Sequence, residues 1–200
     1  MTALEAALRA IASELDRRRV RWALVGGLAV TARAEPRTTR DVDVAVSIPD
    51  DAAGEQVVFQ LVSAGWIVTA TIEQNSAHRL ATVRLKPPID PRMRGVVVGL
   101  LFASSGIEGE VAAEAEWIEV LPGLVVPVAT LGHLVALKVL SRDDRTRPRD
   151  AEDLRGLLAE ATTEDVLAAR AALALITARG FHRGKDLAGE MERVLADLGR

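Results

Sequence analysis

The residues best suited to chemistry lie in the stretch ALVGGLAVTARAEPRTTRDVDVAVS, residues 23–47. From Asp41 onward, Asp and Val alternate with the period of two that marks a strand. Val42, Val44 and Val46 share one face, and Asp41, Asp43 and Ala45 the other. Strands disfavour Asp, and two on one face repel each other. Such a pair projects in parallel, about 7 Å apart. At that reach carboxylates can hold Mg²⁺, a cation that takes oxygen ligands and bridges to phosphates. A D-x-D taken alone more often marks an exposed edge strand carrying charge against aggregation. Gly26 and Gly27 lie between a predicted strand and a short helix, where glycine lets backbone N–H groups approach a phosphate at the helix N-terminus. Alone, such a pair also fits an ordinary turn.

Farther along, Lys138 follows Leu131, Leu134, Val135 and Leu137, which puts a cation at the rim of an apolar helix face. Snorkelling to solvent is the competing fate for that lysine. Asp150 and Asp153, three apart, share a face at the start of the next helix, where compensation of the helix dipole competes with any chemical role. Arg33, Arg37 and Arg40 precede the D-x-D, and Arg142, Arg145, Arg147 and Arg149 fill the segment between the two later helices. Both clusters suit a triphosphate or an RNA end. GFHRGK, residues 180–185, is one residue short of a phosphate-binding loop pattern and is followed by Asp186, so it is set aside. His78, His133 and His182 have no metal-ligand spacing.

The elements that must position these residues follow from local pattern. Thr2-x-x-Glu5 predicts a capping box for a helix with Leu4, Leu8, Ile11 and Leu15 on one face, closed by Arg17, Arg18 and Arg19. Strands are expected over 21–25, 41–47, 66–72, 79–86, 96–103, 117–121 and 124–128. A helix over 50–64 stops at Gly65, and PPIDPRMRG reads as a loop. From Thr130 four segments carry helical periodicity. The fold class expected is therefore α/β (α+β): a mixed-sheet core over residues 1–128, then a C-terminal helical bundle over 129–200.

Composition narrows the setting. The 200 residues are 49% hydrophobic and 26% charged, with a net charge of −3, which argues against nonspecific nucleic-acid binding over the whole surface but permits a local basic patch. The absence of cysteine excludes disulfides, thiolate metal sites and a cysteine nucleophile. The N-terminus does not read as a signal peptide and no apolar run is long enough for a bilayer, so a soluble cytoplasmic protein with no membrane partner is expected.

The glycine pair followed by D-x-D on the next strand resembles the first signature of the polymerase-β-like nucleotidyltransferase fold. LLFASSGIE (100–108) and PVATLGHLVALKVLSRDDRTRPRDAEDLRGLL (127–158) are similar to the AbiEii/AbiGii-type group within it, which includes nucleotidyltransferase toxins of bacterial toxin–antitoxin systems, among them the mycobacterial MenT toxins. The resemblance covers roughly residues 20–160. It implies an NTP-dependent nucleotidyltransferase, with Gly26 and Gly27 on the triphosphate, Asp41 and Asp43 on Mg²⁺, and Lys138 and Asp150 completing the catalytic set from the C-terminal helices. Arg37 and Thr38 or Thr39 match the Arg and Thr that such proteins carry before the D-x-D, and Arg142 is added as a nucleotide-binding cation. An RNA acceptor, specifically the tRNA 3′ end, and a cognate antitoxin are the implied partners. One position departs from the pattern: Val98-Gly99-Leu100-Leu101-Phe102 stands where relatives read V-D-L-L-F, so glycine occupies the place of a third acid. Asp150 or Glu108 as substitute, metal binding without a third acid, and loss of catalysis to leave a nucleotide- or partner-binding module all stay open, as does a small-molecule or protein acceptor.

Overall fold

Thr2 accepts a hydrogen bond from the Glu5 N–H (3.1 Å) and starts α1 (Ala3–Arg17). The expected capping box forms only by half. Glu5 turns its carboxylate to Arg9, one helical turn on (3.1 Å), and Arg9 also donates to the carbonyls of Pro122 and Gly123. A tether between distant segments thus takes the place of the reciprocal cap. The computed structural model describes residues 2–34, 38–74, 79–88, 90–143 and 148–199. Arg37, Arg145, Arg147 and His78 of the sequence analysis lie outside them.

After α1 come β1 (Trp22–Val25), α2 (Gly26–Arg33), β2 (Asp41–Val46), α3 (Asp51–Ser63), β3 (Ile67–Gln74), β4 (Arg79–Lys86) and β5 (Val97–Leu101). They are followed by α4 (Glu108–Ala113), β6 (Glu116–Leu121), β7 (Leu124–Val128), and then α5 (Leu131–Ser141), α6 (Pro148–Glu160), α7 (Thr163–Ala178) and α8 (Leu187–Asp197). Helix starts follow side-chain acceptors: Asp50 caps α3, Thr130 caps α5, and Thr162 with Asp165 forms a full capping box on α7. The sequence reading has no counterpart for α4 or for the 3₁₀ turn at Pro91–Met93, both too short to carry a periodic signal.

Among the described residues seven strands form one mixed sheet in the order β3-β4-β5-β2-β1-β7-β6. The pairs β2–β5 and β1–β7 are parallel, and the rest are antiparallel. The D-V-D-V strand is therefore central rather than an edge, which removes the edge-strand explanation for its acidic residues. Val42, Val44 and Val46 are fully buried, whereas Asp41 is exposed and Asp43 half-buried. A single apolar cluster runs from Leu8 and Ile11 of α1 through Val44 and Val98 of the sheet to Leu134, Leu157, Ile176 and Met191 of the C-terminal helices.

Candidate active site

β1 ends at Val25, and the chain turns directly into α2 through Gly26, whose φ of +65° belongs to the left-handed region that glycine reaches without strain. Among the described residues no side chain caps the start of α2, and Gly26 and Gly27 in its first turn line the space beside β2. Val25 pairs with Asp43 across β1–β2, and Gly99 pairs with Asp43 on the other side across β2–β5. The glycine turn and the acidic strand thus adjoin through the register of the central strands.

Together they form one wall of a cleft of about 890 Å³. Gly26, Gly27, Thr38, Thr39, Asp41 and Asp43 line it from one side, and Lys138 on α5 faces them from another. Lys138 does not snorkel. Its Nζ lies 2.7 Å from Asp150 Oδ1 and 2.6 Å from Asp153 Oδ2, with Lys138 only 12% exposed and the two carboxylates 8% and 2%. Ser141 Oγ donates to the other oxygen of Asp150 (3.1 Å). The i, i+3 spacing on α6 directs both acids at one ammonium, so they are buried partners of a lysine rather than solvated dipole compensators. Asp150 reaches the cleft through Lys138.

Arg40 and Arg149 line the cleft, but Arg33 is used elsewhere: it donates to the carbonyls of Val128 and Ala129 and pairs with Glu116 at 2.6 Å. Arg142 is not among the lining residues; its carbonyl accepts from Lys185 Nζ at 2.5 Å. Glu108 is buried, and its Oε1 accepts from Ser105 N (2.7 Å) and Oγ (2.8 Å), so Ser105 rather than the carboxylate lines the cleft.

Two arginines join the site without a sequence signal of their own. Arg84 on β4 stands in register with Gly99, in the same row as Asp43. Arg183 belongs to the discarded GFHRGK segment. Its backbone takes φ +56°, and its guanidinium donates to the carbonyl (2.9 Å) and hydroxyl (3.2 Å) of Ser104 at the cleft wall. Non-glycine residues held in that region cluster at functional sites, but a φ is not legible in composition. Among the described residues the lining carries Arg40, Arg84, Arg149 and Arg183 against Asp41 and Asp43, with the Lys138 charge already met by Asp150 and Asp153, so the cationic excess on this protein of net charge −3 comes from the arginines. Such a cleft favours a polyanion.

The family model described as nucleotidyl transferase AbiEii toxin, Type IV TA system, matches residues 8–198. Among curated proteins none matches. Similar solved structures include an antigenic nucleotidyltransferase-like protein from Paracoccidioides brasiliensis (16% identity, 95% of this chain and 92% of that one, TM-score 0.54). Another is ANT(2")-Ia in complex with adenylyl-2"-tobramycin (16% identity, 87% and 97% covered, TM-score 0.54). A third is the lincosamide antibiotic adenylyltransferase LnuA bound to lincomycin (14% identity, 80% and 100% covered, TM-score 0.50). At these identities the likeness is one of fold.

Proposed function

The chain belongs to the AbiEii nucleotidyltransferase toxin family, and on that premise we propose that its cleft moves a nucleoside monophosphate from an NTP to an acceptor hydroxyl, with pyrophosphate leaving. The observation that carries this reading is the convergence of the α2 N-terminus, the Asp41–Asp43 pair and Lys138 on one cleft. Gly26 and Gly27 offer N–H groups to the triphosphate, and Thr38 and Thr39 flank its approach. Lys138, held by Asp150, faces the phosphates, and the cleft arginines offset their negative charge, with Arg37 as a further nucleotide-binding cation. In this reading residues 1–128 form the nucleotidyltransferase core and residues 129–200 complete its site.

Mg²⁺ fits the donor set. Asp41 and Asp43 supply hard oxygen ligands, and no cluster of three or more His, Asp or Glu suited to a metal occurs among the described residues. A site of two carboxylates plus substrate phosphates is the usual way Mg²⁺ is held. When bound, the ion supplies charge neutralisation at the attacking and leaving oxygens. The chain's own contribution is to hold the triphosphate against α2 and keep Lys138 oriented at the cleft wall.

For the acceptor we favour RNA, specifically the tRNA 3′ end, because the four arginines along the cleft suit a phosphate backbone better than an uncharged small molecule. A cognate antitoxin would silence this activity, and the protein would work in the cytoplasm. No helix among the described residues is long and apolar enough to cross a membrane. The test is a transfer assay with each of the four labelled NTPs against total tRNA, protein and small acceptors, run beside Asp43→Ala. Label entering tRNA with the wild-type chain alone supports the proposal. Label entering only protein or small acceptors overturns the RNA acceptor, and no label anywhere overturns transfer.

A further inference from the structure

Gly26 and Gly99 close on Asp43 from opposite sides. A Cβ placed on Gly26 would lie 2.5 Å from Asp43 Oδ2, and one placed on Gly99 would lie 2.6 Å from Asp43 Oδ1. Both approaches are shorter than the 3.0 Å that real Cβ atoms essentially never breach. Gly26 has a second reason to be glycine in its φ of +65°. Gly99 has none: its backbone lies outside the left-handed region, and after the Asp43 carboxylate the next atom its Cβ would meet is Leu101 Cδ1, at an ordinary 3.9 Å. A glycine inside a central strand gives up packing and backbone rigidity, and commonly marks a place where another group comes close. Here that group is the Asp43 carboxylate.

We infer that Gly99 is a positioning residue whose missing side chain forms the seat of the Asp43 carboxylate. The site is built on two acids, with the place of a third taken by that seat. The inference rests on the proposed role of Asp43 as a metal ligand, and it inverts the expectation that an acid at position 99 would restore activity. A Cβ at position 99 would meet the Oδ1 end of Asp43, so the carboxylate must turn away from the position it holds to make room. An acid would add like charge in the same row, against which Arg84 on the far side of Gly99 is the nearest paired cation.

The experiment is a double-mutant cycle with two readouts on the full chain: Mn²⁺ binding followed by electron paramagnetic resonance, and thermal melting. Gly99→Ala is expected to weaken Mn²⁺ binding by about 10–100-fold, the scale of losing a group that orients a ligand. Gly99→Asp is expected to weaken it as well. In melting, Gly99→Ala should be tolerated in an Asp43→Ala background and cost stability only when Asp43 is present, because the Cβ then competes with the carboxylate. Wild-type Mn²⁺ affinity in Gly99→Ala, where Asp43→Ala has lost it, overturns the inference, as does tighter Mn²⁺ binding by Gly99→Asp. If Asp43→Ala itself leaves Mn²⁺ binding unchanged, the metal reading fails, and the melting cycle decides the seat: equal shifts in both backgrounds overturn it, and a shift confined to the Asp43 background upholds it.

Discussion

Asp43 is half-buried between two glycines on a central strand, with Asp41 two positions away on the same face. Truncating it to alanine removes a carboxylate and one source of repulsion, without leaving an apolar cavity. Asp43→Ala is expected to cut transfer by about 10²–10³-fold or more, the scale of losing a preorganised electrostatic partner of transition-state charge, while the chain still melts cooperatively. Single-turnover transfer and a thermal melt on the same preparation check both halves. Arg183 presents the opposite balance. Its left-handed backbone costs about 1–2 kcal/mol for a residue with a Cβ, and its guanidinium is exposed at the cleft. Arg183→Gly is expected to retain stability or gain some, yet to weaken binding of the triphosphate or acceptor roughly tenfold, from loss of a charge-assisted hydrogen bond of about 1.5 kcal/mol. Substrate titration beside chemical denaturation separates the two effects.

At the scale of elements, α5 and α6 are clamped by the ammonium of Lys138 between Asp150 and Asp153. Removing that ammonium leaves two buried carboxylates without their countercharge. Lys138→Ala is therefore expected to cost about 3–5 kcal/mol, measurable as a lowered denaturation midpoint, in addition to weakening nucleotide binding. Adding Asp150→Asn and Asp153→Asn to that variant should recover much of the stability and none of the nucleotide affinity. At the other end of α5, burial holds the His133 pKa below its ordinary value, against the opposing pull of Glu114 and Glu110; Glu114 Oε2 lies 4.0 Å from Nε2. The neutral ring sits 3.0 Å from Thr130 Oγ1 through Nδ1. Because the unfolded chain takes up this proton more readily, the contribution is fully present above the unfolded pKa of about 6.5 and is lost as pH falls below it toward the depressed folded value. His133→Gln is expected to flatten the fall in stability over that interval, read from denaturation midpoints between pH 7.5 and roughly pH 5.

Across the whole molecule, the helices after residue 128 share the apolar cluster of the sheet instead of forming a second one. Leu134, Val139, Leu157 and Ile176 are essentially inaccessible within it. Lys185 ties the α7–α8 connection to the end of α5 by donating to the carbonyls of Leu140 (2.9 Å) and Arg142. Arg179, paired with Glu110 at 2.6 Å and donating to the Gly106 carbonyl, ties α7 to the segment around α4, and its ion-paired hydrogen bond holds the Glu110 carboxyl below its usual pKa. A fragment comprising residues 1–128 is expected to lack a cooperative thermal transition by circular dichroism, since its sheet would present a large uncovered apolar face to water. A sharp melt in that fragment would show the core to be independent of the helices.

What could be read from the chain alone was local. The D-V-D-V alternation, the glycine pair, the apolar spacing of α1 and α5, and the Gly65 stop are each set by a few neighbouring residues, and the seven strands among the described residues appear within two residues of where those patterns put them. The convergence of Gly26, Asp41, Asp43 and Lys138 on one cleft was legible only through resemblance, because side chains far apart in sequence leave no periodic trace of their meeting. Three features belonged to the tertiary structure entirely. Gly99 looked like a missing acid until strand register set it against Asp43. Asp153 looked like a dipole compensator until α6 packed it onto Lys138. Arg183 sat in a discarded motif until the α7–α8 turn carried it to Ser104. Each depends on pairing across the sheet or packing between helices, where burial and excluded volume act between residues that the chain order keeps apart.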